Sequence, residues 1–451
     1  MALSLGGPAA HRAVEAAALV AALASVGCAR APARVVLVTI DSLRADHVGP
    51  RAEGPSLTPS LDALARDGVT FADAITNCTV TRCSHASLLT GLYPWRHGLL
   101  DNSGRIGDVA ALPALLQRRG VATGAVVSSL PLKGLLPGFD SAHEGFGAAE
   151  EGRRRYPVKR PEQTTQAAVQ FLDAHPDGPF FLWIHYFPPH GPYTPPAAFL
   201  DADPAAAGPR LEVGERNYEK ARIPAYQALP GILDAQEYRR RYAAHVRYVD
   251  AFVGRLLDRL RERGLYDDAL VIATSDHGES LGEHGWYFLH GNLVYQEQAR
   301  VPLIVKWPRG TARGTRSSAP VELVDVAPTV ASMLALPGFA ADGQALRPSA
   351  GAAPRLRFTQ SNDAELVAIL DGARKLIMKR GPTTYTDAGY PALELFHLDR
   401  DPLETSSVRG DDAVAAARLE AELRRRYAGV VGTEPGAPEN EEALRALGYV
   451  N

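Results

Sequence analysis

Runs of consecutive apolar residues alternate along this chain with segments whose apolar residues recur at helical spacing. Continuous β-branched and apolar runs are typical of strands buried on both faces, and they occupy Arg34–Ile40, Val121–Val127, Phe180–Phe187, Ala269–Ser275 and Val301–Lys306. Helical patterns occupy Leu112–Arg119, Tyr242–Leu260 and Val324–Leu336. The alternation predicts an α/β fold, with a large, mostly parallel sheet flanked by helices on both faces.

The pattern changes after residue 339. Residues 340–356 are rich in alanine, glycine and proline and are interpreted as a linker. Three short strands and a closing helix follow, at Val367–Leu370, Lys375–Met378, Leu393–Leu398 and Asp412–Tyr427, with Asp371-Gly372 as a hairpin turn. We therefore predict a catalytic domain over residues 31–339 and a smaller C-terminal α+β domain, with an antiparallel sheet, over residues 357–451.

The stretch from about Ala197 to Glu237 has no clear periodicity and many prolines and glycines. An irregular insertion of this length is unusual in a compact domain unless it covers a site or is mobile. We assign it to substrate specificity.

The composition excludes some classes of function and limits what the cysteines can do. With 451 residues, 46% hydrophobic and 22% charged residues and a net charge of -3, the chain has no feature of a nucleic-acid-binding protein. Its three cysteines cannot form a disulfide framework. Cys78 and Cys83 would pair only if their side chains converge, and we interpret them as two small, partly buried thiols.

The first 30 residues have the shape of an export signal. An apolar run from Ala16 to Gly27 follows His11 and Arg12, and Leu23–Cys28 loosely resembles a bacterial lipoprotein cleavage box. The prediction is an exported protein of the periplasm or cell envelope. A lipidated Cys28 would be its point of attachment to a membrane.

Polar side chains follow the predicted strands at the points where they end. Asp41 follows the first strand, His190 lies in a proline-rich loop after the strand Phe180–Phe187, and Asp276-His277 follow the strand Ala269–Ser275. Open α/β sheets bind ligands at the carboxyl ends of their strands. We therefore group these residues in one site. His185, inside its strand, is interpreted as a packed core histidine.

Thr81 begins the stretch Thr81–Gly91, which reads as a helix that ends at glycine. The free N–H groups and positive dipole of a helix N-terminus attract an anion. Asp41, Thr81, Asp276 and His277 offer oxygen and nitrogen ligands for one divalent ion, either Ca, Mn or Zn, which would activate the Thr81 hydroxyl. His190 and His290 are candidates for binding ester oxygens or protonating the leaving group.

The motifs resemble those of the sulfatase family of the alkaline phosphatase superfamily, from about Val35 to the C-terminus. The matching stretches are Val38–His47, Ser84–Pro94, Pro189–Tyr193, Thr274–Glu279, Arg300–Ile304, Glu394–Leu398, Asp401-Pro402 and Glu404. The resemblance implies a hydrolase that cleaves sulfate or phosphate esters of small molecules or glycans.

Three positions depart from the family's pattern at the nucleophile. A typical sulfatase carries Cys or Ser, any residue, then Pro-Ser-Arg, and its first residue is oxidised to formylglycine. Here Thr81 stands at that residue, Cys83 at the proline and His85 at the arginine, so we count His85 among the catalytic candidates. Threonine would give a ketone instead of an aldehyde, and we expect no formylglycine.

The departures affect the reaction. A formylglycine hydrate expels sulfate by collapsing to the aldehyde, whereas a sulfo-threonine lacks that exit and a phospho-threonine is opened by in-line attack at phosphorus. Two-metal branches of the superfamily carry Asp where this chain has Tyr186, so we expect no complete second metal site of that kind. Two alternatives remain open: a phosphodiesterase or phosphotransferase without sulfatase activity, and a catalytically silent exported binding protein.

Overall fold

A mixed sheet of eight strands forms the centre of the computed structural model, which describes residues 33–52, 54–145, 158–200, 207–348, 354–381 and 390–431. The strands, numbered along the chain, are β1 Arg34–Ile40, β2 Val69–Ile75, β3 Ala122–Val126, β4 Ser141–His143, β5 Phe180–Tyr186, β6 Glu212–Val213, β7 Arg222–Ile223, β8 Ala269–Ser275, β9 Ser280–Leu281, β10 Tyr287–Leu289, β11 Leu303–Lys306, β12 Thr315–Glu322, β13 Leu356–Gln360, β14 Leu366–Asp371, β15 Arg374–Lys379 and β16 Leu393–His397. The longer helices are α1 Pro59–Asp67, α2 Thr81–Thr90, α3 Leu112–Gln117, α4 Pro161–Ala174, α5 Ala235–Glu262, α6 Val326–Met333 and α7 Ala413–Arg426.

The strand order of the large sheet is β12-β2-β11-β8-β1-β5-β3-β4. All its neighbouring strands pair in parallel except β11, which is antiparallel to both β2 and β8. The predicted α/β class with a mostly parallel sheet is confirmed. The central strands β5, β1 and β8 are buried along their whole length, because helices cover both faces of the sheet.

Alternate side chains of β1 enter two different apolar clusters. Val36 and Val38 pack with α1, α4 and α5 on one face, whereas Val35 and Leu37 pack with α2, α3 and α6 on the other. A strand between two helical layers needs apolar residues at every position, which explains the unbroken run in the sequence.

The C-terminal part forms the antiparallel sheet β13-β14-β15-β16, with α7 packed on it through Leu419 and Leu423. The predicted hairpin turn is confirmed: Asp371 pairs with Arg374, and Gly372 adopts a positive φ of 58°. The first strand of this sheet, β13, was not predicted, and it begins at the end of the segment interpreted as a linker. The described residues between 33 and 431 form one compact unit.

Several boundaries differ from the predicted ones. The longest helix begins at Ala235, where the Asp234 carboxylate accepts hydrogen bonds from the backbone N–H groups of Gln236 and Glu237. The irregular segment therefore ends a few residues earlier than expected.

None of the described helices is long and apolar enough to cross a bilayer. The predicted export signal, with Cys28, lies outside the described residues.

The interpretation of Cys78 and Cys83 as separate thiols is wrong. The two residues form a disulfide with Cα atoms 5.9 Å apart, and both side chains are buried. The helix α2 starts inside the short loop between them, so Cys83 lies in its first turn and the side chains converge. The bridge holds the residues before Thr81 against the start of the helix.

Candidate active site

The register of the three central strands brings the sequence-predicted acidic residues together. Ile40 of β1 lies opposite Tyr186 of β5 and Ser275 of β8, so the residues that follow emerge at the same edge of the sheet. Asp41 and Asp276 are those residues, and both are fully buried. The expectation that they lie in one site agrees with this geometry.

Thr81 reaches the same edge from the N-terminus of α2. Its Oγ1 lies 3.2 Å from Nε2 of His277. The other ring nitrogen, Nδ1, lies 2.9 Å from the backbone oxygen of Gly278, so it carries the proton and donates there. The lone pair of His277 Nε2 therefore faces Thr81 and the two carboxylates. Gly91 ends α2 with a positive φ of 71°, as the sequence predicted.

The two carboxylates and His277 fit a divalent cation. Asp276 Oδ1 accepts hydrogen bonds from the backbone N–H groups of Ser42 and His277 at 3.0 and 2.9 Å. Asp276 Oδ2 has no hydrogen-bond partner among the described residues and lies 3.5 Å from His277 Nε2. Asp41, Asp276 and His277 each place one ligand atom within 4.8 Å of the others.

A positive charge would also relieve the burial of these acids. Burial raises the pKa of the Asp41 carboxyl, since the charged form loses its hydration. Carboxylates that share a dry pocket are stabilised when they coordinate a metal. The hydroxyl of Thr81 adds a further oxygen on the side of His277, so these four residues would hold the ion.

His190 and His290 lie next to His277. The ring of His290 stacks on the ring of His277 with centroids 4.2 Å apart, and the ring of His190 lies 5.0 Å from that of His290. Burial lowers the pKa of His190 to about 3 and the pKa of His290 well below its usual value. Both imidazoles are therefore neutral in this closed site, and each carries one N–H, which in His190 is donated from Nδ1 to the backbone oxygen of Gly191.

His85 lies beneath Thr81. Its Nδ1 lies 2.8 Å from the backbone oxygen of Thr81, one helical turn earlier, and its Nε2 lies 3.0 Å from Oγ1 of Thr39. His85 Nδ1 is also 3.7 Å from Asp276 Oδ2. The contacts of this sequence-predicted candidate are thus with the backbone of Thr81 and with the Asp276 carboxylate.

Three further residues of the site were not among the sequence-predicted candidates. Ser42 donates a hydrogen bond to Asp41 Oδ1 at 2.9 Å, and Glu279 Oε2 lies 3.3 Å from Nδ1 of His290. Burial raises the pKa of Glu279 to about 8. His185, interpreted as a core residue, is buried as expected, but its Nε2 lies 3.5 Å from Asp41 Oδ2. Ser42 follows Asp41 directly, and Glu279 lies three residues after Asp276. This closeness in the sequence was the signal that could have identified both as site residues.

The irregular segment covers this site. Gln227 is fully buried, donates to the backbone oxygen of Phe288 at 3.1 Å and packs against Gly191. The Tyr226 ring lies 6.1 Å from the ring of His190, and Tyr226 also donates to the Phe288 oxygen. The segment thus closes the site over His190, in agreement with its predicted position near the substrate.

Comparison with known protein families finds a match to one family model. The family model described as Sulfatase matches residues 33–336. Among curated relatives, the multifunctional alkaline phosphatase superfamily protein PehA of Trinickia caryophylli is 28% identical, over 85% of this chain and 92% of its own length. N-acetylglucosamine-6-O-sulfatase of Bacteroides thetaiotaomicron is 26% identical, over 60% of this chain and 62% of its own length.

A solved structure shares the fold. The phosphonate monoester hydrolase of Agrobacterium radiobacter superposes with a TM-score of 0.68 at 20% identity, over 90% of this chain and all of that one. Its sheet and helices therefore correspond to those described above.

Proposed function

Since the chain belongs to the sulfatase family and is a hydrolase acting on ester bonds, we propose that it cleaves sulfate or phosphate esters through Thr81 with the help of a divalent ion. The observation that carries the proposal is the convergence of Thr81 Oγ1 and His277 Nε2 at 3.2 Å, beside the carboxylate of Asp276. Thr81 comes from the start of α2, whereas Asp276 and His277 follow the end of β8, and side chains that converge from the ends of two elements are expected of a site and not of a core.

In this proposal the Thr81 hydroxyl attacks the ester. A nucleophilic hydroxyl forms the bond to phosphorus or sulfur while the leaving-group oxygen departs on the opposite side. The ion, when bound, would supply positive charge for the ionised hydroxyl and for the ester oxygens. Thr81 also stands at the first position of α2, where the helix dipole favours the negative charge of the ester.

In this proposal the histidine pair contacts the ester oxygens. His190 donates from Nδ1 to the backbone oxygen of Gly191 at 2.8 Å, so its Nε2 becomes a donor to the ester once the ring takes up a second proton, which the negative charge of the ester favours. His290 is held by Glu279 and by the stacked ring of His277. We propose that these two rings bind the ester oxygens or protonate the leaving group.

A threonine nucleophile favours phosphate esters over sulfate esters as the substrates. It gives no aldehyde, so a sulfated enzyme intermediate would have no internal route to expel sulfate. A phosphodiesterase or phosphotransferase without sulfatase activity is therefore the second candidate function. The substrate we propose is a small molecule or a glycan, because sulfatase relatives act on sugars such as N-acetylglucosamine 6-O-sulfate.

We also propose that the chain is exported. The bridge between Cys78 and Cys83 supports this proposal, because disulfides persist in oxidising compartments. Lipidation at Cys28 stays a prediction from the sequence.

The test is paired kinetics on p-nitrophenyl sulfate, a phosphate monoester and a phosphodiester. We expect Thr81→Ala to lower kcat/KM by at least about 10⁴-fold on every substrate that the wild type cleaves, as loss of a nucleophile does. The matched control is Thr90→Ala, a buried threonine at the other end of α2 whose hydroxyl donates to the Ala86 oxygen. Its kcat/KM should stay within a few-fold of the wild type.

The substrates separate the candidates. Phosphoester turnover alone, lost in Thr81→Ala, would select the phosphodiesterase or phosphotransferase. Full activity of Thr81→Ala would refute Thr81 as the nucleophile. A protein that binds no divalent ion and turns over none of the three esters would be the silent binding protein.

A further inference from the structure

A second group of potential metal ligands lies directly behind the first. His85, His185 and Asp276 each place one ligand atom within 4.8 Å of the others, and all three side chains are fully buried. Asp276 belongs to both groups. His85 is contributed by α2 and His185 by β5, so this second group joins the helix of the nucleophile to the sheet.

His185 is the residue that needs an explanation. Neither of its ring nitrogens has a hydrogen-bond partner among the described residues. A buried imidazole without a partner is destabilising, because it loses its hydrogen bonds to water and gains none. Thr39 and His185 are paired neighbours in β1 and β5, which places the His185 ring at the level of the His85 ring. The two ring centroids are 5.1 Å apart at 74°.

Asp276 Oδ2 also has no hydrogen-bond partner among the described residues, and it lies between the two groups of potential ligands. Its companion Oδ1 is satisfied by two backbone N–H groups. It lies 3.7 Å from His85 Nδ1. Donor atoms around a tetrahedral zinc ion with bonds of about 2.1 Å are about 3.4 Å apart, so this pair already has close to the required separation.

His85 can present that nitrogen without changing charge. In the arrangement seen, Nδ1 donates to the backbone oxygen of Thr81 and Nε2 accepts from Thr39 Oγ1. Moving the proton to Nε2 leaves the ring neutral and frees the Nδ1 lone pair. Thr39 Oγ1 already accepts from Trp183 Nε1 at 3.0 Å, and its second lone pair accepts the new donor.

We propose that His85, His185 and Asp276 hold a second divalent cation, bridged to the first through the Asp276 carboxylate. Two imidazoles and one carboxylate favour a late first-row ion of the zinc class over calcium or magnesium. This site differs from the two-metal arrangement that the sequence excludes at Tyr186, whose hydroxyl lies 2.7 Å from the Thr165 hydroxyl.

The second ion would act on Thr81 indirectly. His85 follows Thr81 by one turn of α2, so an ion on its ring would fix the start of that helix relative to β5 and β8. His85 and His185 are positioning residues in this inference. The inference rests on the proposed function only through Asp276, which the two sites share.

The experiment counts ions on the full chain. Purified protein is saturated with Zn²⁺ or Mn²⁺, passed through gel filtration and measured for metal per chain by elemental analysis. We expect two ions in the wild type, one in His185→Gln and one in Asp41→Asn, because each variant removes a ligand of a different site. His85→Gln is the second variant for the new site and should also retain one ion.

The matched control is His97→Gln. His97 is also fully buried, but its ring is hydrogen-bonded to Ser87 Oγ and to the backbone N–H of Leu99. This variant should keep two ions, so that loss of metal in His185→Gln reflects a ligand and not a destabilised core. Unfolding curves of the two variants establish that both are folded.

Electron paramagnetic resonance of the Mn²⁺-loaded protein gives a readout independent of activity. A shared carboxylate couples the two ions, and the coupled spectrum should become that of an isolated ion in His185→Gln. One ion in the wild type that His185→Gln and His85→Gln both retain and Asp41→Asn loses would overturn the second site while leaving the proposed function intact. Loss of an ion in His185→Gln, with full activity in Thr81→Ala, would support the second site and refute the proposed nucleophile.

Discussion

The bridge between Cys78 and Cys83 should contribute measurably to both stability and turnover. The two residues are five positions apart, and the start of α2, with Thr81, lies between them. Breaking the bridge with a Cys83→Ser substitution, or by reduction in denaturing conditions followed by refolding with reductant, releases this short loop in the unfolded chain.

The size of the effect follows from the loop. The chain-entropy relation for a closed loop of five residues gives about 7 cal/mol/K, or about 2 kcal/mol at room temperature. The free energy of unfolding should fall by about that amount. The loosened start of α2 should also lower kcat between about tenfold and a hundredfold, since misplacing a nucleophile by about 1 Å has effects of that size.

Urea unfolding and steady-state kinetics measure the two effects on the same samples. Cys78→Ser and the double variant should resemble Cys83→Ser, because each removes the same single bond. Equal unfolding free energies with and without reductant, at unchanged slope, would refute the reasoning. An unchanged kcat with the expected loss of stability would show that the bridge stabilises the fold without positioning Thr81.

Two further outcomes are expected away from the disulfide. Burial raises the pKa of the Glu322 carboxyl to about 7, so the folded state favours the protonated form. The stability that this carboxyl contributes to the folded state is fully present below about pH 4.5 and is lost as the pH rises through 7. Urea titrations of the wild type should therefore show a free energy of unfolding that falls between pH 5 and 7 by up to about 1.4 kcal/mol per pH unit relative to Glu322→Gln, and equal slopes would contradict this. Gly191→Ala places a Cβ on the amide of Gln227, so it should displace the irregular segment that lies over His190 and raise KM. If that contact is the cause, adding Gln227→Ala to Gly191→Ala should restore KM.

The positions of the catalytic candidates could be predicted because they depend on strand ends. A run of apolar residues buried on both faces is unmistakable in β1 and β8, and the acidic residue after each run must emerge at the carboxyl edge. The glycine that ends α2 is equally plain, since it needs a positive φ. The grouping of Asp41, Asp276 and His277 as candidates follows from these local signals.

The remaining features depend on contacts between distant segments. β12 contains Pro320 and four polar residues before its buried end, so its pattern does not indicate a strand until β2 is beside it. The pairing of Cys78 with Cys83 depends on where α2 begins, and the role of His185 depends on the register of β5 with β1. None of these three features can be inferred from the local spacing of apolar residues.

The burial of the candidate site has a consequence for the rate of the reaction. Thr81, Asp41 and His190 are all fully buried in the structure, and the irregular segment lies over His190 through Tyr226. Each turnover therefore requires one opening to admit the ester and another to release the products. The frequency of those openings sets an upper limit on kcat that is independent of the strength of the nucleophile. Substrates with very different leaving groups would then be cleaved at similar maximal rates.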